Sequence, residues 1–380
     1  MITNKAKVLS ALILALLLGL NVEAQEKKSF WSSFKDPEDG AFDISEYLLH
    51  KKGFLVEPVI ITEPAVGYGL AATLVWFHSA YGDQKYPPSM SGVLGMGTEN
   101  KSWAAGVFHF GYYKQDRIRF RAALVKTDLN IAYYGSGDFG IFGDKSVNAN
   151  LDAWLLSTQL TFRLGRTDFF AGVRYEYMPT DILFDLPIDI PEFEGKTIES
   201  NLGEASAVVF YDTRNNIFSP NRGVYLELGG TYSDTWLGGD VSYGRVQGIG
   251  MGYFPASEKV NVAMRYDTQF SLGDVPFWAR PWVDLRGAPL VKYQNKNIAS
   301  MEVQVDWNVY KRWTLLGFTG IGHAFSDFGE FDKGKSVRTL GTGFRYLIAR
   351  QLGAQMGIDV AFSNDDWAFY IVFGNSWSRS

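Results

Sequence analysis

The segment Ile298 to Tyr310 (IASMEVQVDWNVY) alternates along its whole length. Ala299, Met301, Val303, Val305, Trp307 and Val309 share one parity, and Ser300, Glu302, Gln304, Asp306 and Asn308 the other. Successive side chains of a strand face opposite sides, so one face here is apolar and the other polar and charged; a helix would scatter the same residues around its circumference. Thirteen residues at about 3.3 Å each reach about 43 Å, enough to cross a hydrocarbon core at the tilt of a barrel strand. Arg117 to Ala122 repeats the pattern with Arg117, Arg119 and Arg121 on one face. Gly223 to Thr231 sets Val224, Leu226 and Leu228 against Tyr225 and Glu227. Soluble sandwiches alternate too, but their strands tend towards about five or six residues, and many of the runs here reach 11 to 16. Beyond an apolar run at the N-terminus, no segment approaches about 18 consecutive apolar residues, which excludes a helical membrane protein. Aromatic residues make up 16% of the chain and there are 40 glycines, a composition suited to aromatic girdles. The expected fold is all-β: a transmembrane antiparallel β-barrel, apolar towards lipid and polar towards the lumen.

Turn signals between the runs place strands at 54–62, 68–79, 89–98, 102–113, 117–135, 149–164, 168–180, 203–213, 222–234, 240–254, 259–272, 298–310, 313–325, 336–348, 352–363 and 367–377. An even count, here about 16, lets a single chain close antiparallel. Connections after even-numbered strands include the short Lys114-Gln115-Asp116, Gly165-Arg166-Thr167 and Lys311-Arg312; those after odd-numbered strands include the long 181–202 and 273–297. Residues 80–88 and the tight loops near 63–67 and 99–101 depart from that rule. At the N-terminus, Lys5 and Lys7 precede the apolar run Val8 to Leu20, and Val22 and Ala24 stand at −3 and −1 of a cleavage site. Residues 1–24 therefore read as a signal peptide, because the run is too short to span a bilayer. Residues 25–53 read as a short periplasmic segment, either a flexible leader or a small plug at the barrel mouth, and 54–380 as the barrel. Without Cys there is neither an acylation site nor a disulfide.

Several stretches together resemble the BamA/TamA superfamily of outer-membrane assembly barrels, also called the bacterial surface-antigen family. Tyr211 to Gly223 (YDTRNNIFSPNRG) is similar to the family's turn, with Asp212, Arg214, Pro220 and Gly223 in its pattern. Leu285-Arg286-Gly287 resembles the (V/L)-R-G tip of a long loop. Gly341 to Tyr346 and Ile358 to Ala361 look like its G-x-G-x-R and D-x-A strands, and Phe373, Gly374 and Trp377 resemble the closing-strand signal. Pro58 to Gly67 fits the first hairpin. The resemblance implies a loop folded into the lumen and anchored there by Arg286 and Gly287 against the inner wall. The facing strand offers Glu302 and Asp306 as partners, since an unpaired buried charge is very costly. An F-x-D-x-G strand that often supplies a partner is absent: Gly320 takes the Asp position. A solvent-exposed Arg-Gly turn is the competing reading of the same residues. Members that assemble or secrete proteins carry periplasmic repeat domains; 25–53 is too short for one, so a short member without them is expected.

No nucleic-acid role is supported by a formal charge of −5. His50, His78, His109 and His323 are scattered without metal-ligand spacing, and neither a G-x-S-x-G nor a phosphate-binding loop is present. The expected chain is not an enzyme and has no cofactor or metal; its partners are outer-membrane lipid and periplasmic or lipoprotein assembly proteins. Three functions are expected, in order of preference: an outer-membrane barrel assisting insertion or translocation of protein or lipid through a seam between its first and last strands; a diffusion pore lined by Arg117, Arg119, Arg121, Glu302 and Asp306; or a barrel enzyme with Ser or Thr, His and an orienting group on one outer or rim face.

Overall fold

The computed structural model describes residues 34–45, 54–63, 65–78, 87–134, 146–185, 197–364 and 366–377. The signal segment and most of the leader expected from the sequence lie outside these residues. Sixteen strands succeed one another: β1 (Phe54–Glu63), β2 (Gly67–Phe77), β3 (Met90–Thr98), β4 (Trp103–Tyr113), β5 (Ile118–Tyr133), β6 (Val147–Arg163), β7 (Phe169–Asp185), β8 (Thr197–Asp212), β9 (Gly223–Ser233), β10 (Tyr243–Pro255), β11 (Val260–Gly273), β12 (Asn297–Tyr310), β13 (Trp313–Phe325), β14 (Lys335–Ala349), β15 (Ala354–Ser363) and β16 (Trp367–Phe373). Each pairs antiparallel with its neighbours in chain order, giving one up-and-down sheet. It curls into a nearly closed barrel. We call the end that carries the connections after even-numbered strands the turn end, and the other the loop end.

The alternation sorts residues as physics requires. On β9, Leu226 and Leu228 are 52% and 61% exposed while Tyr225 and Glu227 are 2% and 7% exposed. Leu70, Val173 and Leu340 extend the exposed apolar surface around the wall. An apolar band on this scale is rare on a soluble monomer and suits a wall that faces lipid. Inside, Arg119, Arg265, Asp267, Glu302, Arg345 and Asp359 are buried.

Two strand ends differ from the sequence reading. β7 and β8 run on to Leu183↔Thr197, where 181–202 reads as a loop. Pro179 lies next to that expected end. Pairing with β6 does lapse there, between Leu156↔Tyr177 and Ala153↔Thr180, and then resumes. A proline removes one ladder donor but need not end a strand. At the other extreme, β16 stops at Phe373 rather than 377. Gly374 adopts φ +75°, a conformation that costs glycine little, and the chain turns into the lumen.

β1 and β16 meet without a backbone ladder among the described residues. Near the loop end the Thr62 side chain links them: its hydroxyl donates to the Phe369 carbonyl and accepts from the Phe369 amide at 3.2 Å. All other adjacent strands share continuous or nearly continuous ladders, as in β5–β6 from Ile118↔Phe162 to Tyr133↔Val147. The outer band yields a direct check. Leu228→Arg places a charge on the lipid face and should lower stability by about 2–4 kcal/mol if it sits near the midplane, measured by denaturant titration of folding into vesicles. An unchanged midpoint would show that this face does not meet hydrocarbon.

Candidate functional site

The long connection between β11 and β12 folds back inside the barrel. Its two arms bridge at Trp282↔Gln294, and Val283 donates its amide to the Tyr293 carbonyl at 2.9 Å. Val283, Leu285, Ala288 and Tyr293 form one buried cluster with Ile298, Ala324 and Val337 of the wall. The wall must be thin where the loop presses on it. A Cβ on Gly322 would lie 2.2 Å from the Val283 side chain, and one on Gly320 3.1 Å from Leu285. The glycine in place of an F-x-D-x-G aspartate therefore makes room for the loop.

At the tip, Gly287 has φ +89° and donates its amide to the Tyr370 hydroxyl at 2.9 Å. Arg286 is 9% exposed. Its Nε and Nη2 donate to Glu302 Oε1 at 2.9 and 2.6 Å, Nη2 also to Gln304 Oε1 at 2.8 Å, and Nη1 to Asp359 Oδ2 at 2.7 Å and Ser376 Oγ at 3.1 Å. The guanidinium lies 3.5 Å from the centre of the Phe318 ring. Asp359 is also held by Arg345 through paired bonds of 2.6 and 2.9 Å. Two arginines thus face two fully buried carboxylates, and the planar forks use most of their donors. The tail beyond Gly374 closes the site from the turn end: Ser376 accepts from both arginines, and the Trp377 indole donates to Glu302.

Of the anchor residues expected from sequence, Arg286, Gly287 and Glu302 come together. Asp306 does not bond Arg286; it accepts from Gln304 Nε2 at 2.7 Å. It sits four residues beyond Glu302 on β12, about 13 Å along the strand, past the reach of a guanidinium already seated on Glu302. Asp359 on β15 takes that place. Gln304, Arg345, Ser376 and Trp377 are further partners; Arg345 and Trp377 stand in the G-x-G-x-R and closing-strand signals, but nothing in the sequence assigns any of the four to the Arg286 site. Trp377 reads in the sequence as the closing aromatic of a strand but is 3% exposed inside the lumen.

The turn motif forms a second inward structure. Asp212 accepts from Arg119 at 2.9 Å and from Arg214 Nε at 2.9 Å, while Arg119 also forks onto Asp116 and stacks 4.1 Å from the Phe170 ring. Gly223, at φ +101°, lets the returning strand pass Thr213, whose carbonyl would lie 2.2 Å from any Cβ there. Beyond Asn215 the turn, with buried Pro220, crosses the mouth. Asn216 Nδ2 donates to the Leu352 carbonyl at 2.8 Å, and Ile217 and Phe218 pack on a cluster containing Leu55, Val75, Met90, Ala349, Leu352 and Ala354. Phe373 joins the same cluster. Strands from both sides of the seam therefore share an apolar contact at the turn end.

Of the four histidines, His78 and His109 lie near Ser91, whose Oγ is 2.8 Å from His78 Nε2 and from His109 Nδ1; His109 Nε2 is 2.7 Å from the Tyr113 hydroxyl. Polar groups on an apolar wall satisfy one another in this way. His323 bonds Ser336 and the Phe331 carbonyl, and His50 lies outside the described residues. Among the described residues no group of three or more metal-ligating side chains occurs.

The network predicts a non-additive mutational pattern. Arg286→Met takes the arginine from Glu302 and one of its two arginine partners from Asp359 and should cost about 3–5 kcal/mol, as for breaking a buried pair. Arg286→Met with Glu302→Gln should cost clearly less, because Arg345 still neutralises Asp359. Thermal unfolding followed by the heat-dependent gel shift of the barrel measures both; a double variant as unstable as the sum of the singles would refute the coupling.

A model of the Omp85 superfamily domain matches residues 109–281. Among solved structures the chain is similar to BamA from Haemophilus ducreyi lacking POTRA domains 1–3, at 12% identity and TM-score 0.57, covering 84% of this chain and 70% of that one. It is also similar to CdiB from Escherichia coli (10% identity, TM-score 0.57, 84% and 62% covered) and CdiB from Acinetobacter baumannii (10%, 0.55, 84% and 59%). The chain thus spans less than two thirds of either CdiB, and identities this low speak for the fold. No curated protein matches it in sequence. Sixteen antiparallel strands in one sheet and the domain match agree: residues 109–281 match the Omp85 superfamily domain, and the barrel as a whole has a fold similar to that of BamA.

Proposed function

We propose that this barrel resides in the outer membrane of a Gram-negative bacterium and assists insertion or translocation of protein or lipid by opening between β1 and β16. The observation that carries this reading is the seam itself. Every other strand boundary has a backbone ladder, whereas the described parts of β1 and β16 are joined by the Thr62 hydroxyl and by the apolar cluster at the turn end. A net hydrogen bond is worth about 1 kcal/mol, so parting this boundary costs far less than parting a ladder of ten or more. Opening exposes strand edges to the bilayer side of the wall, where an edge seeks pairing. The similar fold of BamA and CdiB supports a barrel that works on other molecules at the membrane rather than a catalyst.

A diffusion pore fits the interior less well. Arg119, Glu302 and Arg286 are engaged in buried ion pairs, and the lumen loop and the β8–β9 turn occupy the space a wide channel would use. Periplasmic or lipoprotein partners would bring cargo to the turn end, which takes the periplasmic side in this reading.

Cysteines at 62 and 369 should lock the seam under oxidation. The locked barrel should fail to restore the outer-membrane protein and lipid composition of cells lacking this chain, and reductant should rescue it. In planar bilayers the unlocked barrel should give brief, small openings. Full complementation by the oxidised form, or one large stable conductance, would overturn the reading.

A further inference from the structure

The described N-terminal residues 34–45 make a compact loop on the turn end. Lys35 and Phe42 bridge, the Phe34 and Phe42 rings stack 5.9 Å apart, and the Asp43 amide donates to the Phe34 carbonyl at 2.9 Å. This shape aims three carboxylates at one guanidinium. Arg312, in the β12–β13 turn, donates from Nη2 to Asp36 at 2.6 Å, from Nε to Asp39 at 2.7 Å and from Nη1 to Asp43 at 2.7 Å. Its side chain is 3% exposed. Arg350, in the β14–β15 turn, bonds Asp36 and pairs with Glu38 at 2.7 Å. Backbone contacts fix the register: Ile44 donates to the Ile348 carbonyl at 2.9 Å, the Arg350 amide to Asp43 at 2.9 Å and the Gln351 amide to Ser45 Oγ at 3.1 Å. Tyr346 donates its hydroxyl to the Phe42 carbonyl at 2.9 Å.

The strap precedes a seam strand in the sequence. Nine positions after Ser45 the polypeptide enters β1, yet all the strap's polar partners belong to β14 or to the β12–β13 and β14–β15 turns, and β16 stands between them and β1. Ile44 also packs on the apolar cluster that holds Leu55 of β1 and Phe373 of β16. We infer that residues 34–45 are a latch that fastens the lead-in of β1 to the rim on the far side of the seam and so keeps the seam's turn end shut. The consequence for the seam rests on the function proposed above; the docking does not.

The groups that govern the latch are Asp36, Glu38, Asp39 and Asp43 on the strap and Arg312 and Arg350 on the rim; Lys35 is exposed and Lys311 lies over the Tyr310 ring. The hydrogen bond from Arg350, followed by smaller contributions from the Glu38 amide and the Arg312 charge, holds Asp36 down at about 2, and Arg312 lowers Asp39 as well. A carboxylate depressed on docking strengthens the docked state above its ordinary value of 3.8, and that contribution disappears as pH falls through about 2. The latch should therefore hold from pH 7 to pH 5 and release only in strong acid.

The test uses the full chain in lipid discs. A spin label at Pro37, an exposed position, reports docking, and a label pair at Val56 and Ile371 reports the seam. Asp36→Asn with Asp43→Asn changes only the strap, so the wall folds as before. The strap label should change from immobile to mobile, and the Val56–Ile371 distribution should gain a longer distance; Thr62→Val serves as the second perturbation. A strap label that is mobile in the unmodified protein, or stays immobile after both substitutions, overturns the docking. Strap release with an unchanged seam distance, while Thr62→Val lengthens it, overturns the latch but spares the seam. No lengthening in either variant overturns both.

Discussion

A guanidinium buried in the middle of a membrane-sized barrel organises this structure. Arg286 arrives on a loop from one end, and Ser376 and Trp377 arrive on the chain's tail from the other; Glu302 and Asp359 wait on walls three strands apart. A charge of this kind has a narrow choice. Unpaired it would be intolerable in a dry interior, and paired it gains most of what it lost only when nearly every donor is met. The requirement acts as a positional constraint. The loop cannot slide, because a shift of one strand residue would present the opposite face of β12, with Met301 and Val303 instead of Glu302 and Gln304.

The glycines of the wall belong to the same logic. Gly320 and Gly322 remove side chains where Leu285 and Val283 press inwards, so the loop is seated by apolar packing before its tip meets the carboxylates. Hydrophobic contact supplies most of the burial, and the ion pairs specify which position is right. The β8–β9 turn applies the same scheme at the mouth. There, Asp212, Arg119 and Arg214 define the base of the turn, and Ile217 and Phe218 fill the apolar contact at its tip.

The strand content of the barrel was legible because period-two alternation is local and is imposed twice, by lipid outside and by polar groups inside. About half of the connections between successive strands are also tight, as at 311–312 and 256–259, so their turn chemistry lies within a few residues. The Arg286 tip and its Glu302 partner could be read for a related reason, since a charge on an inward-facing parity must be answered. Contact between distant segments was not legible. Asp359 and Asp306 are both inward carboxylates, and parity alone cannot rank them; only the depth of the loop decides. Trp377 has the look of a girdle residue, and only the turn at Gly374 sends it inside. The strap of residues 34–45 lay within a segment read as a leader or a small plug at the mouth, and its docking partners were hidden, because nothing in Asp36, Asp39 or Asp43 announces an arginine some 270 residues away.

The distribution of these fasteners gives the seam two unequal flanks. Glu302 lies on β12, Phe318 on β13, Arg345 on β14, Asp359 on β15, and Tyr370 on β16, with Ser376 just beyond it. Lys292 of the loop adds an ion pair to Asp366 in the β15–β16 connection. The last five strands are thus knitted by the loop into one body. Among the described residues, β1 to β3 take no part in any of these ion pairs, and β1 reaches the body through Thr62, Leu55 and the strap. A boundary between a braced block and an unbraced ribbon will move by displacement of the ribbon, because bending β16 away would break charged contacts that have no solvent to replace them. If the seam opens, β1 with its neighbours should be the moving side, and Arg286 acts by keeping the other side still.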